Sequence, residues 1–162
     1  MFREMRRSDR ALTLDEAKAY LEKQEYGVLS VLGDDDYPYG VPISYAFAND
    51  CIYIHGFLDG HKIDAVRKNP KVCFTVAGDT EVLPVEVSIN YTSVVAFGLA
   101  EVLPMEDEAG RQEAFEAIAF KYCPRDENTI RYIDNNKAKT NVIRIRVEKI
   151  TGKKRPGKPR IG

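Results

Sequence analysis

The sequence predicts a mainly β fold with peripheral helices, a small antiparallel barrel and not an open α/β sheet. Three observations predict it. Short runs alternate apolar and polar residues, most clearly over 41–48 and 142–150. Clusters of turn formers, such as Gly33-Asp34-Asp35-Asp36 and Asn49-Asp50, separate these runs at hairpin spacing. Helical patterns fall at the start, in the middle and near the end, so there is no βαβ alternation and a doubly wound sheet is excluded. Roughly six or seven strands in consecutive antiparallel runs suit closure into a barrel, which removes exposed edges.

Each element follows from its local pattern. Thr13 and Glu16 form a capping box, and Ala17, Tyr20 and Leu21 follow at helical spacing, so an N-terminal helical arm over about 1–25 should end before Gly27. Residues 27–32, GVLSVL, read as a strand. In 41–48, VPISYAFA, Val41, Ile43, Tyr45 and Phe47 alternate with Pro42, Ser44, Ala46 and Ala48, and Pro42 assigns this strand to a sheet edge or an interruption. Residues 51–57, CIYIHGF, are its expected hairpin partner. A short helix over 62–68 packs through Ile63 and Val66 and stops at Asn69-Pro70. Residues 72–77 form an apolar strand, 82–89 read ambiguously as a strand, and 91–103 form a long strand with Gly98 at a bulge or bend. A helix over 106–122 carries Phe115, Ile118, Ala119 and Tyr122 in one stripe and ends at Pro124. A second helical piece over 126–135 sets Ile130 and Ile133 on one side. The last strand, 142–150, points Ile143, Ile145 and Val147 inward, and the basic Pro/Gly-rich tail from about 152 to 162 is expected to be mobile.

Composition narrows the function. The 162 residues are expected to form one domain with a sizeable core. The charged fraction of 30% nearly balances to a net charge of -1, which argues against nucleic-acid binding as the main role. No apolar run is long enough to span a bilayer, and the charged N-terminus MFREMRRSDR is no signal peptide. Cys51, Cys73 and Cys123 cannot all pair and lack CxxC spacing, so free thiols and a cytoplasmic location are expected.

The chemistry concentrates in residues 52–62, IYIHGFLDGHK. A strand bearing Tyr53 and His55 enters a turn, and His61 and Lys62 follow where a helix begins. Backbone N–H groups, a cation and the positive end of a helix dipole make a phosphate cradle, and Gly60 permits close approach of a ligand. The plainer reading of His61 and Lys62 is a solvated first turn; against it, a lysine at a helix N-terminus opposes the dipole unless an anion is near. Gly56 and Gly60 do not make GxGxxG, so no Rossmann site is implied. His55 is read either as a histidine with satisfied nitrogens or as a proton donor to a ligand in the barrel mouth. A metal grouping of His55, Asp59 and His61 lacks the spacing of structural sites. Ser44 and Tyr45 are half-buried β-formers or groups that read the edge of a flat heterocycle, and Ser93 offers a further hydroxyl.

Taken together, RRSDRALTLDEA (6–17), YGVLSVLGDDDYPYGVPISY (26–45), IYIHGFLDGHKIDAVRKNPKVCFTV (52–76), YTSVVAFGLAEV (91–102) and IRVEKITGKKRP (145–156) resemble the pyridoxamine 5′-phosphate oxidase-like flavoproteins, in their Nim-like (5-nitroimidazole resistance) branch. The resemblance implies a split β-barrel homodimer with FMN in each of two clefts between subunits. It implies that Gly60, His61 and Lys62 hold the phosphate and that Val41, Pro42, Ile43, Ser44 and Tyr45 line the polar edge of the isoalloxazine. His55 then faces the flavin, and Tyr91 and Ser93 lie where the partner subunit approaches. Departures matter as well. VPISY stands where the true oxidase has a VLLK-type strand, there is no tryptophan, and His61-Lys62 replaces an Arg-Lys pair, so oxidation of vitamin B6 is not expected. The activity implied is that of an FMN-dependent oxidoreductase, a nitroimidazole reductase among the options, working on a small-molecule electron acceptor. A non-catalytic flavin sensor or carrier needs the same cleft, and a haem-binding split barrel using His55 or His61 is the remaining alternative.

Overall fold

The computed structural model of the chain describes residues 2–155. A turn of 3-10 helix at Ser8–Arg10 precedes α1 (Leu14–Lys23), β1 (Tyr26–Leu32), β2 (Pro38–Ser44), β3 (Ala46–Ala48), β4 (Cys51–Gly56), α2 (His61–Lys68), β5 (Lys71–Leu83), β6 (Ser88–Val102), α3 (Glu108–Tyr122), α4 (Glu127–Asn136) and β7 (Asn141–Arg155). The capping box at Thr13 and Glu16 is present.

All seven strands belong to one antiparallel sheet in the order β2-β1-β5-β6-β7-β4-β3. Its two edge strands, β2 and β3, are one stretch of chain broken only at Tyr45. The sheet therefore returns on itself, and the barrel closes through a covalent connection instead of a continuous ladder. Pro42 lies in edge strand β2, as its missing N–H requires.

Tyr45 is the joint. The expected eight-residue strand does not run through, because Tyr45, Ala46 and Phe47 are buried in succession and the two-residue period fails there. The Tyr45 ring lies in the barrel interior against Phe74, with centroids 4.6 Å apart, and its hydroxyl donates to the Leu21 carbonyl at 2.6 Å. The backbone that leaves the ladder is satisfied by a side chain. The Tyr45 N–H donates to the Tyr122 hydroxyl at 3.1 Å, and that hydroxyl has the Tyr45 and Glu25 carbonyls each at 2.7 Å to receive its single proton. Beside it the Lys121 ammonium stands 4.0 Å over the Tyr45 ring and donates to the Gln24 carbonyl; burial pulls its pKa down to about 8.

Two apolar layers result. Inside the barrel, Leu29, Ile52, Ile54, Phe74, Val94, Ile143 and Ile145 pack with Leu21 of α1 and Ile63 of α2. Outside it, Tyr53 and Val142 on the reverse face meet Ala114, Phe115 and Ile118 of α3 and Ile133 of α4. Ile133 is buried but Ile130 is exposed, so only one of the expected pair packs.

Three expectations need correction. Residues 82–89 are not one strand: β5 and β6 form a long hairpin whose turn spans 84–87, closed by the Val87 N–H on the Pro84 carbonyl. The basic tail is ordered through Arg155, since β7 pairs with β6 as far as Tyr91↔Arg155 and buried Gly152 lets α1 close over it; the rest of the tail lies outside the described residues. The hairpin partner of residues 51–53 is only 46–48, while β2 pairs with β1. The irregularity at Gly98 is present as a register shift between Phe97 and Gly98 against β7, where the Arg146 carbonyl occupies the space a side chain would need.

Candidate functional site

The break at Tyr45 opens a split beside the barrel. In the β3–β4 hairpin Ala46 pairs with Tyr53, and the same register continued would set Ser44 opposite His55. The ladder ends instead, and β2 turns away to β1. The outer edge of β2, carrying Val41, Pro42, Ile43 and Ser44, is left without a strand partner, as is this end of β4 on the same side. Val41, Ile43 and Ser44 are half-buried, and Pro42 is exposed at the rim. Tyr45 is a correction: its ring is fully buried and its backbone groups serve Tyr122, so neither is free to read a ligand.

The far end of the split is bridged by the turn that follows β4. The Leu58 carbonyl accepts from the Asn141 amide at 2.5 Å, which fixes the loop. Gly60 takes φ +126°, a conformation that suits glycine, and opens α2 with no side-chain cap. The N–H groups of His61 and Lys62, first in the helix, have no intrahelical acceptor. The two basic residues then diverge. The His61 ring stacks on Tyr39 of β2 at 4.2 Å, with Nε2 3.5 Å from an Asp34 carboxylate oxygen, and so ties the turn to the opposite wall. Lys62 folds back along β4 toward Gly56, where an added Cβ would lie 2.9 Å from its Nζ. It is half-buried and has no ion-pair partner among the described residues.

This arrangement fits a phosphate. It offers an unpaired ammonium, two unused backbone N–H groups and open space beside Gly60, where nothing would lie within 4 Å of a Cβ. Gly56 is the gap that admits Lys62. Gly56→Val is expected to push the ammonium out of its groove with little change in global stability. Equilibrium titration with FMN reads the result as at least a severalfold loss of affinity; an unchanged affinity contradicts the placement of Lys62.

His55 shares the outward face of β4 with Tyr53, but their roles separate. Tyr53 is buried and donates to Glu113 at 3.0 Å. His55 is exposed and has no hydrogen-bond partner among the described residues, so it is not a core histidine, although the walls beside it remove part of its hydration. It borders a cavity of about 470 Å³ between β4, α3 and α4. Loss of hydration, and then the charge of Lys62, push its pKa below the ordinary 6.5, so the ring is neutral near pH 7. The sign is fixed: the unfolded chain holds the His55 proton more tightly, so stability falls as pH drops from 6.5 through the lower folded value. NMR titration of the imidazole should show this depression, and Lys62→Ala should move the pKa up. An unmoved value would break the His55–Lys62 coupling.

Tyr91 and Ser93 do not join this site within one chain. They lie on the outer face of β6 opposite Arg155 and Lys153, whereas His55 pairs with Val142 at the other end of β7. The separation along β7 is 11 to 13 residues of strand, roughly 35–45 Å. The described residues contain no group of three or more His, Cys, Asp or Glu suited to a metal. Sequence reasoning missed Asn128 and Tyr132 as neighbours of the site, because nothing in their local pattern distinguishes them from surface helix residues, and it read Tyr122 only as part of the apolar stripe of α3.

Comparison with known proteins agrees with this architecture. A family model described as pyridoxamine 5′-phosphate oxidase matches residues 13–154. The uncharacterized protein RA0666 of Rhizobium meliloti is 39% identical over 72 residues; the match spans 43% of this chain and only 42% of that protein. Among solved structures, a candidate 5-nitroimidazole antibiotic resistance protein from Bacteroides thetaiotaomicron superposes with a TM-score of 0.75 at 22% identity, covering 88% of this chain and 85% of the other. A FAD-binding protein (mll6688) from Mesorhizobium loti does so with a TM-score of 0.67 at 24% identity, covering 91% and 98%. With a single model spanning nearly the whole chain and a barrel shared with these structures, the protein belongs to the pyridoxamine 5′-phosphate oxidase family.

Proposed function

We propose that this chain is a flavoprotein that binds FMN in the split between β2 and β4 and acts as an oxidoreductase on a small-molecule electron acceptor. The observation that carries the reading is the half-buried, unpaired Lys62 ammonium beside the uncapped start of α2. Lys62 and the N–H groups of His61 and Lys62 hold the phosphate, Gly60 lets it approach, and the His61 ring fixes the turn to Tyr39. The unpaired edge of β2, from Val41 to Ser44, hydrogen-bonds the polar rim of the ring system. When bound, the flavin supplies the capacity to accept and pass on a pair of electrons. The protein's own part is to seat it and orient the acceptor, with neutral His55 positioned to donate a ring N–H hydrogen bond to that acceptor and to relay a proton to it as the other ring nitrogen takes one from water. A second copy of the chain completes each cleft, bringing its Tyr91 and Ser93 to the cofactor that one chain leaves half enclosed. Nitro compounds are the first acceptors to test, given the resistance protein whose fold this chain shares.

FMN and FAD present the same ribityl phosphate, and the neighbour described as FAD-binding makes the distinction experimental. The purified protein should be yellow, and mass spectrometry of the released cofactor should identify FMN. Released FAD would correct the nucleotide; a colourless protein that binds neither would overturn the reading. His55→Gln should lower turnover of a nitroaromatic acceptor at least tenfold while leaving flavin content unchanged, and equal turnover would remove the proton-donor role.

A further inference from the structure

The cavity next to His55 has a chemical character of its own. Its floor and walls are Phe115, Ile118 and Ala119 of α3 and Ile133 of α4, and its rim carries Asn128 and Tyr132. No Lys, Arg, Asp or Glu lines it. Three other cavities all carry charge: one has Arg67 and Glu101, another Lys71 and Glu148, and a third Glu108, Arg111 and Lys137. In a chain that is 30% charged, an uncharged recess of this size is a selective feature. Its volume suits a small organic molecule.

Tyr122, Asn136 and Thr140 in its lining hydrogen-bond within the chain, but other polar groups that reach it are uncommitted. The Tyr132 hydroxyl has no internal partner among the described residues, and neither has the Asn128 amide nitrogen, since only the Asn128 carbonyl oxygen is used, by Arg131. Both nitrogens of His55 are free as well. Apolar walls with a few convergent hydrogen-bonding groups favour a flat ring bearing neutral polar substituents. The same walls disfavour an anion, which would lose water there with no charged side chain in the lining to meet it once a phosphate occupies Lys62.

We propose that this recess is the substrate pocket and that it selects uncharged aromatic compounds carrying a neutral hydrogen-bonding group such as a carboxamide, excluding carboxylates and phosphate esters of the same ring. This inference deepens the flavoprotein reading and rests on it for the reaction, though the binding step does not. The recess and the phosphate seat meet at His55, which borders the first and feels the charge of the second. One side chain thus contacts the acceptor on one side and the cofactor split on the other. The exposed Tyr132 ring at the rim makes that side of the entrance apolar.

The test uses calorimetry on the full-length, flavin-loaded protein with 2-naphthamide and its anionic counterpart 2-naphthoate. The amide is expected to bind at least tenfold more tightly. Ala119→Phe, which fills the recess from α3, is expected to abolish amide binding while the flavin absorbance persists. The double variant Asn128→Ala/Tyr132→Phe, which keeps the walls intact, should weaken the amide severalfold and narrow the preference. Equal or tighter binding of naphthoate overturns the proposal, as does the absence of binding by both compounds. Loss of flavin together with amide in a folded Ala119→Phe also overturns it, because the recess would then be the seat of the cofactor ring. A wild-type protein that carries no flavin but still prefers naphthamide would sink the flavoprotein reading and leave the pocket standing.

Discussion

Lys62→Ala is expected to weaken flavin nucleotide binding by roughly tenfold to a hundredfold, the 1.5–3 kcal/mol range of a hydrogen bond to a charged group. The reason lies in what the lysine does without a ligand. Its ammonium sits at the start of α2, where the dipole repels it, and rests against Gly56 with no carboxylate to balance it. Such a position costs stability in the empty protein and recovers it when an anion arrives. Lys62→Ala should therefore leave the empty protein as stable as the wild type or slightly more so, while lowering affinity. Denaturant unfolding and flavin titration on the same samples read both quantities. A variant that is destabilised when empty but binds normally would make Lys62 a structural residue.

Tyr45→Ala is expected to be the most damaging substitution near the site, at about 3–5 kcal/mol, the cost of removing a buried aromatic ring. The ring fills the barrel against Phe74 and carries the hydroxyl that satisfies Leu21, and Lys121 lies over its face. Its loss would leave a cavity at the one point where the sheet returns on itself. Urea unfolding should show the drop, and Tyr45→Phe, which keeps the ring, should cost only about 1 kcal/mol. Equal costs for the two variants would mean that the hydroxyl, not the ring, holds the joint.

The barrel was legible because its strands obey the two-residue period and its turns carry glycine, asparagine or aspartate. Where the sequence misled, the deciding partner was distant. Nothing local marks Tyr45 as a break, since its backbone is satisfied by Tyr122, whose hydroxyl arrives from the far end of α3. Residues 82–89 were ambiguous because three valines suggest a buried strand, yet Val82, Val85 and Val87 are largely exposed on a projecting hairpin. The tail looked mobile by composition, but backbone pairing with the long β6 is indifferent to a run of lysines. At the site, the 52–62 pattern foretold a helix that begins at His61 and Lys62. It did not foretell that His61 would turn to Tyr39, or that His55 would border a recess built by α3 and α4.

One pairing of ligands bears most directly on the phosphate seat. Wild-type protein stripped of cofactor should be titrated with FMN and with riboflavin, which differ only in the phosphate, and the same titrations repeated on Lys62→Ala. FMN should bind the wild type at least tenfold more tightly, and the variant should lose most of that advantage. Equal affinities for the two ligands in the wild type, or binding of neither, would contradict the account.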